Sequence, residues 1–144
     1  MLLALDTSSP QVTVALTEGE TVLAERCSEQ TMKHGELLAP LIAAVLDDAG
    51  AVRQDVTAIG VGVGPGPFTG LRVGLVTART LAHVLEVPVY GVCSLDVLAV
   101  EALDSGVVDE EFLVATDARR KEVYWAHYVD GARVSGPAVE RPAD

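Results

Sequence analysis

The sequence predicts an α/β fold of two related lobes, the second incomplete, and three observations lead there. The 144 residues are 49% hydrophobic but only 4% aromatic, and a Val, Leu and Ala stock of this kind suits a buried sheet covered by helices. Apolar spacing along the chain gives strand–strand–strand–helix–strand–helix–strand–helix, followed by a new pair of strands. An early segment also recurs late: "ALDTSSPQVTVAL" (Ala4 to Leu16) aligns without gaps on "ATDARRKEVYWAH" (Ala115 to His127) at an offset of 111 residues. Ala4/Ala115, Asp6/Asp117, Val12/Val123 and Ala15/Ala126 are identical pairs. Each copy reads as a strand ending in Asp, a polar turn and a returning strand. The first lobe is placed at 1–104 and the start of the second at 105–144.

The elements follow from local signals. Leu2 to Leu5 is a short apolar run ending at Asp6, and Thr7-Ser8-Ser9-Pro10 carries turn residues. Gln11 to Thr17 alternates with Val12, Val14 and Leu16 on one face, and Glu18-Gly19-Glu20 turns the chain into a strand over Thr21 to Cys27. Helical spacing of Leu38, Leu41, Ile42, Val45, Leu46 and Ala49 predicts a helix over Gly35–Ala49, stopped by Gly50, with Pro40 near its first turn or kinking it. Ala58 to Val63 is a buried strand. A long helix spans Thr69–Leu85, with Thr69 as N-cap. Pro88 to Val92 is another buried strand, and Ser94 caps a helix to about Leu103. Asp104 to Glu111 is an acidic linker, and Phe112–Thr116 and Val123–Val129 are strands.

Charge narrows the function classes. With 10 Lys and Arg against 21 Asp and Glu, the net charge is −11, a surface that repels phosphate backbones unless a local basic patch intervenes. Arg119-Arg120-Lys121, flanked by Asp117 and Glu122, reads as a solvated turn. Cys27 and Cys93 form no CxxC and read as two buried thiols in a reducing compartment. The N-terminal apolar run is too short for a secretory signal, and no stretch nears the ~20 apolar residues of a membrane span. The expected location is cytoplasmic. His34, His83 and His127 are scattered, so no metal site is expected.

The stretch "GVGVGPGPFTGLRVG" (Gly60 to Gly74) holds six of the 13 glycines and two of the seven prolines. It has no Lys for a P-loop, and its spacing misses GxGxxG by one residue. Pro65 and Pro67 remove two backbone N–H donors that a phosphate cradle would use. Gly70, Gly74, Ala78 and Ala82 recur every four residues and form one stripe of small side chains along the helix. Such a stripe admits a close backbone, either the domain's own sheet or a helix of another subunit. Leu71 and Leu75 flank it with apolar area, and Arg72 and Arg79 share a polar edge.

The duplicated Asp-bearing lobe resembles the actin, Hsp70 and sugar-kinase architecture (the ASKHA, ribonuclease H-like folds), with the second lobe short by about 80 residues as though truncated. That resemblance implies Asp6, Thr7, Ser8 and Asp117 as the weak candidates for holding nucleotide phosphate and its metal. A more specific resemblance is carried by "LALDTSS" (Leu3 to Ser9), "GVGPGPFTGLRVGLVTARTLA" (Gly62 to Ala82), "VPVYGVCSLDVLA" (Val87 to Ala99) and "ATDARRKEVYWAHY" (Ala115 to Tyr128). These blocks, in this order, resemble the TsaB (YeaZ) family, a non-catalytic relative of the TsaD/Kae1 enzymes. TsaD relatives carry an HxxxH metal pair where this chain has Ser94 and Leu98, and Leu cannot ligate a metal.

The resemblance implies a scaffold subunit of the complex that places threonylcarbamoyl on the adenosine next to the anticodon of tRNA. It implies a heterodimer with TsaD through the helices Gly35–Ala49 and Thr69–Leu85, with TsaE joining as an ATPase and a homodimer through the same helices as a resting form. No catalytic residue, cofactor or metal of its own is expected, ATP and metal belonging to partner subunits, and tRNA is met only indirectly. The interface residues so implied are Leu38, Leu41, Ile42, Val45, Gly70, Leu71, Arg72, Gly74, Leu75, Ala78, Arg79 and Ala82. Two rival readings are a phosphotransferase of the sugar-kinase type, and an M22-like metallopeptidase, for which no metal ligands, Cys–His pair or Ser elbow are found.

Overall fold

The computed structural model describes residues 1–142; Ala143 and Asp144, the last residues of the second lobe as placed above, lie outside them. Two compact units are present, Met1–Val63 with Pro67–Val92, and Gly64–Gly66 with the chain from Cys93 onward. In the first, five strands lie in the order β3-β2-β1-β4-β5. They are β1 (Leu2–Asp6), β2 (Thr13–Glu18), β3 (Thr21–Cys27), β4 (Ala58–Gly62) and β5 (Val89–Val92). β1 pairs antiparallel with β2 and parallel with β4, and β5 extends the parallel side.

Period-two alternation explains why this sheet has one buried face. Leu3 and Leu5 of β1, Val14 and Leu16 of β2, and Ile59 and Val61 of β4 point the same way and are buried. Two helices cover that face, α1 (His34–Asp48) and α2 (Phe68–Leu85), contributing Leu38, Val45, Ala78 and Ala82 to the same core. Pro40 lies inside α1 on its exposed side, and the helix runs on through it. Thr69 does not cap α2, which starts one residue earlier with Pro67 at the cap position and no side-chain bond there. Proline suits a helix start because it has no N–H to satisfy. β5 is exposed along its whole length, with Tyr90 58% accessible. Its apolar residues read as buried, but a strand with a sheet neighbour on one side only has an open edge.

The second unit holds α3 (Ser94–Asp104), β6 (Glu111–Arg119), β7 (Glu122–Val129) and β8 (Ala132–Glu140), the strands forming one antiparallel sheet β6-β7-β8. Its core is Leu95 and Ala99 of α3 with Ala126 and Tyr128 of β7, flanked by Phe112. The rings of Phe112 and Tyr128 stack with centroids 5.4 Å apart. Helix α3 therefore packs with the second sheet and belongs to this unit. Ser94 does not cap α3 with its side chain; Cys93 holds the cap position. The Ser94 Oγ instead accepts from the Gly64 N–H at 3.1 Å while the Ser94 N–H donates to the Gly64 carbonyl at 2.8 Å. This two-way clasp ties Gly64–Gly66 to α3. Strand β8 has no counterpart in the sequence reading, since Gly136-Pro137 interrupts the residues that form it.

The two Asp-bearing hairpins share one backbone detail and differ in register. The Ser8 N–H donates to Asp6 Oδ1 at 2.6 Å, and the Arg119 N–H donates to Asp117 Oδ1 at 2.8 Å, the same turn at the same offset of 111 residues. The returning strands do not keep that offset. Asp6 pairs with Thr13, but Asp117 pairs with Val123, so the second turn is one residue shorter. A one-residue slip exchanges the faces of a strand. Accordingly Ala15 is half-exposed in β2 while Ala126 is buried in β7, and the identities Val12/Val123 and Ala15/Ala126 do not occupy equivalent places.

Candidate functional site

The small-residue stripe of α2 is turned onto the protein's own sheet. Gly70, Gly74, Ala78 and Ala82 are all buried. The cause is Thr7, 1% exposed at the end of β1. Its hydroxyl donates to the Gly70 carbonyl at 2.7 Å and accepts from the Gly74 N–H at 3.0 Å, touching both ends of one rung of the helix ladder. A helix backbone can come this near only if it carries no side chain there. A Cβ on Gly74 would lie 2.5 Å from Thr7 Oγ1, and one on Gly70 would lie 3.1 Å from the Thr7 carbonyl and 3.2 Å from the His34 ring. His34 itself, buried at the start of α1, hydrogen-bonds through Nε2 to the Ser9 carbonyl at 2.6 Å.

These contacts engage part of the candidate phosphate hairpin. Thr7 is bound to α2, Asp6 accepts from the Ser8 N–H, and the Ser9 carbonyl is held by His34. In the second unit Asp117 is likewise engaged by its own turn, and the residue equivalent to Thr7 is Ala118, which has no hydroxyl. Among the described residues no three His, Cys, Asp or Glu side chains gather into a possible metal site. Leu98, at the place of the HxxxH ligand, is 38% exposed on α3. Cys27 is exposed and Cys93 half-buried, and both are free thiols, which corrects the expectation that both are buried. Among the described residues no helix is long and apolar enough to cross a membrane.

The expected interface residues thus fall into three groups. Leu38, Val45, Gly70, Gly74, Ala78 and Ala82 are buried within the first unit. Leu41, Ile42 and Leu75 are half-buried and pack against the core, and Leu71 is half-buried. Arg72 and Arg79 stand in solvent. The opposite side of α2 carries exposed apolar residues. Phe68 is 72% exposed, Val76 59% and Val84 65%. Phe68, Arg72, Val76 and Arg79 follow one another at three- and four-residue steps, so they share a face. The Arg72 guanidinium lies 5.1 Å over the Phe68 ring and covers part of it. Phe68, Val76 and Val84 are apolar residues that the small-residue stripe leaves on the far side of a helix packed by its glycines.

In the second unit Tyr128 is almost wholly buried, yet its hydroxyl donates to Asp96 Oδ1 at 2.7 Å. Arg133 Nε holds the same carboxylate at 2.9 Å. Burial, then the bond to Asp96, pushes the Tyr128 phenol well above its ordinary value. The group is a structural clasp between α3, β7 and β8.

Comparison with known proteins supplies the family. The family model for TsaD, tRNA N6-adenosine threonylcarbamoyltransferase, matches residues 21–144. A protein of Mycobacterium tuberculosis is 46% identical over 99% of this chain and 66% of its own length. The tRNA threonylcarbamoyladenosine biosynthesis protein TsaB of Bacillus subtilis is 36% identical over 88% of this chain and 54% of its own. The solved structure of YeaZ from Pseudomonas aeruginosa superposes with a TM-score of 0.88 at 36% identity, covering 99% of this chain and 70% of that one. A ROK hexokinase of Thermus thermophilus matches at a TM-score of 0.56 and 18% identity, over 94% of this chain and 49% of its own, and so shares the ASKHA-like fold alone. The chain spans just under two thirds of the Mycobacterium relative and about half of the TsaB proteins it matches.

Proposed function

Because the chain belongs to the TsaB (YeaZ) family, we propose that it works in threonylcarbamoyl-adenosine synthesis on tRNA as the subunit that binds a TsaD-type partner and performs no chemistry itself. One observation carries this reading, the exposed Phe68–Arg72–Val76–Arg79 face of α2. Burying Phe68, Val76 and Val84 contributes roughly 5 kcal/mol before the costs of association, and Arg72 and Arg79 can pair with a partner's carboxylates. The same face fits a second copy of this chain through a two-fold axis, which gives a homodimer as the resting form. The hairpin supports the non-catalytic part, since its hydroxyl and carboxylate serve the fold. On this reading ATP and metal belong to the TsaD-type and TsaE-type partners, and the complex acts in the cytoplasm.

Reconstitution with the TsaD-type partner, the ATPase subunit, ATP, a threonylcarbamoyl donor and unmodified tRNA tests the proposal. Modification is expected to depend on this chain, while the chain alone transfers nothing and gives no heat on titration with ATP and Mg²⁺. Full modification without it, or tight ATP binding by it in isolation, overturns the reading.

A further inference from the structure

The turn joining β6 to β7 has a backbone and a charge that the scaffold role leaves unused. Arg119 pairs with Glu122 across the strands, so Arg120 and Lys121 are the two central residues of a two-residue hairpin loop. Arg119, Arg120 and Lys121 have φ of 63°, 53° and 63°. A two-residue loop with positive φ at both central positions is the kind that Asn-Gly fills at little cost, and long side chains with a Cβ fill it against their preference. Local strain of this sort persists where something else requires the side chains. The three cations are exposed and consecutive in a chain whose net charge is −11. Among the described residues neither Arg120 nor Lys121 has an ion-pair partner. The adjacent Asp117 carboxylate accepts from the Arg119 backbone N–H.

The corresponding turn in the first unit shows what a purely structural version looks like. Residues 7–12 contain no cation and no positive φ, and Thr7 is sewn into α2. The second turn has no hydroxyls, is one residue shorter and carries cations at its tip.

We infer that the Arg120–Lys121 tip contacts the phosphate backbone of RNA, namely the tRNA on which the proposed complex acts; the inference rests on that reading and replaces the expectation of indirect contact. Arginine can take a phosphate with two parallel N–H donors, and lysine meets a second as a point charge. A turn tip of this size positions a backbone and reads no bases. The surrounding negative surface confines the contact to the tip and keeps non-specific binding weak.

Fluorescence anisotropy with a labelled unmodified tRNA transcript, over a range of salt concentrations, tests this on the full chain both alone and with its TsaD-type partner. Two double variants are compared, R120E/K121E and R120N/K121G. Loss of two phosphate contacts is expected to weaken binding about 10-fold and to lower the slope of log affinity against log salt by about 1.5. R120N/K121G relaxes the backbone, so it is expected to melt no lower than the parent and still lose the affinity, which separates charge from folding. Unchanged affinity and slope in either variant overturns the inference, as does a parent protein without salt-dependent tRNA binding in either form. Loss of the TsaD-type partner with tRNA affinity intact also overturns it and makes the tip a protein contact. Failure of the scaffold reading registers separately, as modification that proceeds without this chain.

Discussion

The hairpin at Asp6 and the hairpin at Asp117 begin with the same Asp-anchored turn and are then put to different uses. In the first, the next residue is a buried Thr whose hydroxyl bridges Gly70 and Gly74, so the turn becomes the seat of a helix. In the second, the next residue is Ala118, the turn is shorter, and its tip is basic and exposed. The comparison teaches that the glycines of α2 and Thr7, just after β1, are one device. Neither is intelligible alone: the glycines read as a seam for a foreign backbone until the hydroxyl that occupies it is seen.

The comparison can be broken most decisively at Gly74. Gly74→Leu drives a side chain into Thr7 and Leu5, and overpacking of this kind costs about 3 kcal/mol, or roughly 10 °C in a thermal melt. An unchanged melting temperature with lost partner binding would return the stripe to the surface. Thr7→Val keeps the shape but removes the bridging hydroxyl, and about 1–2 kcal/mol should disappear in urea unfolding. The substitution Ala118→Ser at the equivalent place should leave stability within about 0.5 kcal/mol of the parent. A larger change would show that the second turn also seats a packed element.

Tyr128 sharpens the account of the second unit. Its folded phenol is held well above the value of 10.0 that it has in an unfolded chain. The protonated form is therefore favoured by folding; the contribution is complete below pH 10 and is lost as pH rises above it, because the unfolded tyrosine ionises first. Tyr128→Phe is expected to cost about 1 kcal/mol at neutral pH and to flatten the fall in stability above pH 10. A variant as pH-sensitive as the parent would assign the alkaline loss elsewhere. Smallest of all, Asp117→Ala removes one exposed turn bond and should cost about 0.5 kcal/mol by chemical denaturation.

Much of the architecture was legible because periodicity reports burial directly. Val12, Val14 and Leu16 alternate and are buried, and Leu38 and Val45 keep helical spacing and are buried. What escaped the sequence depends on neighbours that are distant in the chain. Val89 and Val92 look like interior residues, but their strand lies at a sheet edge. The one-residue difference between the two turns is invisible in a gapless alignment, because strand pairing rather than residue identity sets the register. For the candidate site, the stripe on α2 was legible but its surroundings were not. Spacing marks which residues of α2 share a side, but Thr7, more than sixty residues away, decides which side is buried.

The central claim is that the outward face of α2, and not its glycine seam, holds the partner. Titration of the TsaD-type partner with Phe68→Glu/Val76→Glu, followed by calorimetry or sedimentation on a variant whose melting temperature matches the parent's, measures it directly. The account predicts a folded protein whose affinity falls at least about 100-fold, as expected when two central apolar anchors are lost. Parental affinity in that variant would contradict it.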